Sequence, residues 1–182
     1  DTPQTWVAAN VFRDGDRFGV DAGVRPWTVV DRGGERLGVV GVLSPTTPDI
    51  TPSATGIEVT DPVAAVEESL ENFEEADIDH VVVLSHLGAE DETLARAVDV
   101  DLILGGHLHE ARVERVSETV LARPGANAAG IVEAEFDGER WTARRLKTDR
   151  TPPVASIVSA LRDRRRATGL DEVVGTVAEP ID

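Results

Sequence analysis

Two short, almost purely aliphatic runs constrain the fold of this chain more than anything else in it. Val81-Val82-Val83-Leu84 and Leu102-Ile103-Leu104 are continuous and rich in β-branched residues, the pattern of strands covered on both faces. Each stops abruptly, the first at Ser85-His86-Leu87-Gly88 and the second at Gly105-Gly106-His107-Leu108-His109. A helix is expected between them, over about Glu92 to Val98. Strand, helix and strand with covered faces implies parallel pairing, because a parallel neighbour needs a crossover of about this length. The fold class is therefore α/β.

The rest of the chain is read around that unit. Thr5 to Ala9 reads as a short strand ending at Asn10, and Trp27 to Val30 with Leu37 to Leu43 as a hairpin about the turn Asp31-Arg32-Gly33-Gly34. Ser44 to Thr60, rich in Pro, Thr and Ser, reads as a long surface loop. Asp61 is placed to cap a helix with Pro62 at its first position, and Val63, Val66, Leu70 and Phe73 recur along one face of it. Four alternating segments, around Arg112 to Val116, Val120 to Ala122, Gly130 to Phe136 and Trp141 to Leu146, suggest a meander. An amphipathic helix over about Pro153 to Ala167 comes next, and then Val173-Val174-Gly175, which could open a new segment.

Charge and composition exclude several classes of function. The 182 residues carry 34 acidic and 18 basic side chains, a net charge of -16, and Lys147 is the sole lysine. Such a surface repels nucleic acid backbones and anionic membranes, so neither a nucleic acid polymer nor a membrane is expected as a partner. It also suits a halophilic source, where concentrated salt screens the repulsion. No run reaches the roughly 20 apolar residues of a membrane span, and no signal-peptide pattern is seen at Asp1-Thr2-Pro3. Cysteine is absent, so any metal must be held by nitrogen and oxygen ligands. Methionine is absent too, and the chain is expected to be processed, excised or truncated.

His86, His107 and His109 stand just after buried parallel strands, where open α/β sheets place their ligand sites. In an extended Gly106-His107-Leu108-His109 segment the two imidazoles would project to one side, and His86 would follow the neighbouring strand. Neutral imidazole suits zinc, manganese or iron and asks for a second acceptor to fix its tautomer. Asp91, Asp101 and Glu110 are the nearest carboxylates in sequence, and the residues alone assign that role to none of them. A single histidine at a strand end is more often a hydrogen-bonded core or surface residue, and His80 is read that way.

The stretch Val81 to Gly88, the spacer Asp91 to Asp99 and the run Val100 to His109 resemble the later metal motifs of the 5'-nucleotidase and 2',3'-cyclic-nucleotide phosphodiesterase family of calcineurin-like metallophosphoesterases. Ala9-Asn10-Val11, Gly38-Val39-Val40-Gly41-Val42 and Pro124-Gly125-Ala126 look like that family's landmarks in the same order. The resemblance implies a sandwich of mixed sheets flanked by helices, with only the second half of the catalytic domain present over residues 1–170. Residues 171–182 would begin a linker or a further domain. It also implies two divalent metal ions of the Zn, Mn, Mg or Co class in the complete enzyme, with His86 and His107 on one and His109 on its neighbour.

The family's DxH, GDxxxG-like and GNHE-like motifs have no counterpart here. The resemblance therefore leaves the catalytic and substrate-binding residues unassigned and the isolated chain expected to be inactive. The reaction implied for the complete enzyme is hydrolysis of a nucleotide or related phosphomonoester or phosphodiester. The compartment is unassigned, although members of the family are often exported. Arg123, Asn127 and the Pro124-Gly125 turn lie where the family places a loop near the metals, so a phosphate contact and a structural turn both stand open. The rival reading is a non-enzymatic metal-binding or scaffold module of a split protein. Self-association, or pairing with the missing half, is expected from the apolar surface such a piece would expose.

Overall fold

The computed structural model describes residues 4–148 and 153–172, and the chain divides into two units, Asp1–Thr148 and Asp149–Asp182. The two aliphatic runs become central strands of a six-stranded sheet in the first unit. They are β6 (His80–His86) and β7 (Leu102–Gly105), joined through α3 (Asp91–Ala97) and paired parallel, with Val82 opposite Leu102 and Ser85 opposite Gly105. The aliphatic pattern thus located both strands and their crossover, as a βαβ unit requires.

Around this unit the sheet runs β3, β4, β6, β7, β9, β8, where β3 is Trp27–Arg32, β4 Glu35–Leu43, β8 Ala111–Val116 and β9 Thr119–Pro124. Strands β4, β6, β7 and β9 are mutually parallel, and β3 and β8 close the edges antiparallel. The β3–β4 hairpin turns at Gly33 and Gly34, whose φ values of 66° and 94° fit the two-residue loop that needs left-handed backbone at both positions.

Three sequence expectations are corrected. The four late segments do not form one meander: β9 joins the main sheet parallel to β7, because every residue of its Thr119-Val120-Leu121-Ala122-Arg123 run is buried. Only β10 (Gly130–Phe136) and β11 (Trp141–Lys147) form a separate hairpin. Between Ser44 and Thr60 the chain holds α1 (Thr47–Ile50) and β5 (Ile57–Val59), and β5 pairs with β1 (Val11–Arg13), which pairs in turn with β2 (Asp16–Arg17). The first strand therefore begins beyond Asn10, and Val7 makes only an isolated bridge to Arg25. Asn10 is the pivot: fully buried, its side chain donates to the carbonyls of Leu43 and Thr60 and accepts from the Leu43 amide.

Alternation along the strands gives the sheet two faces with different covers. Val40, Val42, Val83, Ile103 and Leu121 point to one face, against Ala65, Val66 and Phe73 of α2 (Pro62–Ala76) and Leu94 and Ala95 of α3. Val82, Leu102 and Val120 point to the other, where Ala134, Trp141 and Ala143 of the β10–β11 hairpin lie. Helix α2 starts as expected, with the Asp61 carboxylate accepting from the Ala64 amide at 2.9 Å and Pro62 at the first turn. Asp61→Ala is expected to cost about 1 kcal/mol of unfolding free energy in a urea titration, the usual loss of such a cap.

The second unit is described from 153 to 172. Its α4 (Ala155–Ala167) matches the expected helix, with Ile157 and Leu161 exposed and Arg165 paired to Asp171 at 2.5 Å. Val173-Val174-Gly175 lies outside the described residues.

Candidate functional site

At the C-terminal end of the parallel strands the backbone brings two of the three candidate histidines together. His86 is the last residue of β6 and His107 comes two residues after β7. The register that sets Ser85 opposite Gly105 carries on past the strands, where the Gly106 amide donates to the Ser85 carbonyl at 2.8 Å. The imidazole centroids stand 5.1 Å apart, edge to face at 80°. Both rings are exposed.

Two glycines make the approach feasible. A Cβ at Gly106 would stand 2.9 Å from His86 Nδ1, and one at Gly88, whose φ is 73°, would stand 2.8 Å from His107 Cδ2. Each is too close for a real side chain, so these positions favour glycine on steric grounds.

The geometric premise for the third histidine does not hold. His107 has a φ of 66°, and the Leu108 amide donates to the Gly106 carbonyl at 2.8 Å, closing a tight three-residue turn. The segment is bent rather than extended, and strand alternation says nothing about where His109 points. His109 lies two residues further on in exposed chain outside any strand. Among the described residues no group of three or more His, Asp or Glu side chains gathers closely enough to hold a metal ion. The donor chemistry suits a divalent cation in part: two adjacent neutral imidazoles can fill two coordination positions.

Beside His86 opens a cleft of about 510 Å³, lined among others by Trp6, Leu43, Leu84 and Leu104. Leu84, on the same face of β6 as Val82, is 41% exposed. Further round, Arg112 of β8 bonds both Glu92 of α3 at 2.6 Å and Glu114 at 2.5 Å. The hydrogen bond from Arg112 holds the Glu92 carboxyl below its ordinary range.

His80, set aside by sequence, sits at the opposite end of β6. It is 8% exposed, its Nδ1 accepts from Trp141 Nε1 at 3.1 Å, and its ring lies against Phe136 and Trp141. It is a core histidine.

Arg123 and Asp91 are the residues that sequence reasoning left without their true role. Arg123 is fully buried, with Nε donating to Asp91 Oδ2 at 2.9 Å and Nη2 to the same oxygen at 2.7 Å. Its guanidinium turns inward, which corrects the phosphate contact considered above and leaves the structural alternative. The available signal was an arginine continuing the buried Val120-Leu121-Ala122 run, since a charge there needs a buried partner.

No family profile matches this sequence. It is similar to a 5'-nucleotidase of Diplobatis ommata, 35% identical over 85 residues that make up 46% of this chain and 15% of that protein. It is also similar to an apyrase of Tabanus yao, 39% identical over 85 residues, 44% of this chain and again 15% of the other. The matched region thus spans about 15% of the length of these curated relatives. Among solved structures, a 5'-nucleotidase precursor from Thermus thermophilus superposes with a TM-score of 0.77 over 94% of this chain and 40% of its own, at 24% identity. The calcineurin-like phosphoesterase YfkN from Bacillus subtilis does so with a TM-score of 0.67 over 92% of this chain and 63% of its own, at 17% identity. At such identities the structures speak for fold, while the sequence relatives speak for descent. Over about half its length this chain is homologous to 5'-nucleotidases, and its fold is that of the calcineurin-like phosphoesterases.

Proposed function

We propose that this chain supplies one side of the active site of a metal-dependent phosphoester hydrolase that acts on nucleotides or related phosphomonoesters and phosphodiesters. The observation that carries the reading is the His86–His107 pair, two exposed imidazoles 5.1 Å apart at the C-terminal ends of adjacent parallel strands. In this reading both bind one divalent cation of the Zn, Mn, Mg or Co class, and His109 serves a second. A bound cation of that kind polarises a phosphoryl oxygen and lowers the pKa of coordinated water. The protein's part is to hold the two rings 5.1 Å apart and exposed to solvent and substrate.

The donor set on this chain is partial, so residues from a further segment or another chain complete the site. In the domain reading that goes with this, 1–170 is the later half of a catalytic domain and 171–182 leads into a linker or a further domain. The expected result is metal-dependent hydrolysis of AMP, p-nitrophenyl phosphate or bis-p-nitrophenyl phosphate by the longer parent protein in high salt. His107→Ala should lower kcat/KM at least about 100-fold, since loss of a ligand exceeds the effect of losing a ligand's own support. Full activity after chelation and dialysis would sink the proposal. The isolated chain is expected to be inactive in the same assay.

A scaffold reading has one observation in its favour, the absence of a three-donor cluster among the described residues. A parent protein that retains no divalent metal would support it. Either way the apolar cleft beside Leu84 and Leu104 is expected to draw a partner. Concentration-dependent growth in mass by light scattering should reveal self-association of this chain, and a monodisperse monomer at all concentrations would count against it.

A further inference from the structure

We infer that Asp91, Arg123 and Ser85 form a positioning device that holds the His86 and His107 loops in contact; its bearing on metal binding rests on the reading of those two histidines as metal ligands. Asp91 is the first residue of α3 and fully buried. One carboxylate oxygen accepts from Ser85 Oγ at 2.5 Å and the other from Arg123 Nε and Nη2. Ser85 immediately precedes His86, and its hydroxyl also accepts from the Leu87 amide at 3.2 Å. The carboxylate therefore grips the end of β6 at the residue beside the first histidine.

The grip on the second histidine runs through Arg123. Its Nη2 also donates to the carbonyl of Gly88. Gly88 lies against the His107 ring, as the 2.8 Å from its would-be Cβ to His107 Cδ2 shows. The end of β7 rests on the pair itself. A Cβ at Gly105, two residues before His107, would stand 2.5 Å from Asp91 Oδ2 and 3.1 Å from Arg123. One ion pair thus fixes the end of β6, the loop after it and the end of β7 at once.

Stability alone is a poor reason for this arrangement. A buried ion pair loses so much hydration that apolar residues of similar volume are often as stable or more so. Here the guanidinium is also incompletely satisfied, since Arg123 Nη1 is buried without a hydrogen-bond partner among the described residues. What apolar residues could not reproduce are the directional bonds to Ser85 and Gly88, which fix the end of β6 and the loop after it, against which the His107 ring packs.

The test removes the pair without stranding a charge. In the full chain, Asp91→Leu combined with Arg123→Met should keep the wild-type melting temperature or raise it. The nuclear Overhauser cross-peak between the His86 and His107 ring protons, expected in the wild type, should vanish. Affinity for Co²⁺, read by titration calorimetry, should fall about tenfold or more, as is usual when a ligand's support is removed. Retained stability with an intact cross-peak and unchanged affinity would overturn the device. If the double variant does not fold, Ser85→Ala carries the decision, because it cuts the link to β6 and leaves the ion pair whole. A weakened cross-peak supports the inference and an unaltered one overturns it. A wild-type chain with the cross-peak but no Co²⁺ binding would remove the metal reading and leave the device standing, whereas no cross-peak in the wild type would remove the device.

Discussion

Arg123→Met alone is expected to lower the free energy of unfolding by about 3–5 kcal/mol, the cost of leaving one member of a buried ion pair without its partner. Asp91 is fully buried, and among the described residues three of the four side-chain hydrogen bonds of the Asp91–Arg123 pair come from the guanidinium. Removing it leaves a carboxylate whose only other side-chain bond among the described residues is to Ser85 Oγ, in a site with no access to bulk water. Urea unfolding followed by circular dichroism reads the loss directly. A change below about 1 kcal/mol would contradict a buried charged pair. The contrast with the apolar double variant is informative, since the single change should be far more damaging than the pair of changes.

The second large effect is expected at Phe73, which joins α2 to the sheet. Its ring is 4% exposed and meets Trp27 edge to face at 5.0 Å and 80°. It lies directly over Gly38 of β4, where a Cβ would stand 2.7 Å from two ring atoms. Phe73→Ala should cost about 3–5 kcal/mol, the range for truncating a buried aromatic ring. Gly38→Ala should cost about 1–3 kcal/mol by overpacking in the wild-type background. Combined, the new methyl group enters the space the ring vacated, so the two losses should be less than additive by about 0.5–3 kcal/mol. Strict additivity in a double-mutant cycle would show that Phe73 does not rest on Gly38.

Legibility in the sequence divides along physical lines. The βαβ unit was readable because its strands are aliphatic enough to be recognised without partners, and because two glycine-bearing histidine motifs mark where each ends. The α2 cap was readable because Asp61-Pro62 acts locally. Pairings set by tertiary contact were not. The Thr119–Arg123 run looks like any short strand, and only the vacant edge of β7 decides that it joins the main sheet. β5 hides in a Pro- and Thr-rich stretch because its three residues are fixed by β1. At the site, sequence spacing gave the right neighbours for His86 and His107 and the wrong local conformation for His107, whose left-handed φ no alternation rule foresees. Asp91 and Arg123, far apart in the chain, showed no relation until the fold buried them together.

The βαβ construction of the site has a kinetic consequence. His86 and His107 are brought together by β6, α3 and β7, one uninterrupted stretch of chain, so their contact requires the closing of only a modest loop. The β4–β6 pairing must instead enclose α1, β5 and α2, a far longer stretch of chain. Contacts between near neighbours in sequence form faster than distant ones. The imidazole pair therefore belongs to the part of the sheet that can assemble first, and the Asp91–Arg123 link can close with it, because β9 pairs β7 across a loop no longer than the one between β6 and β7.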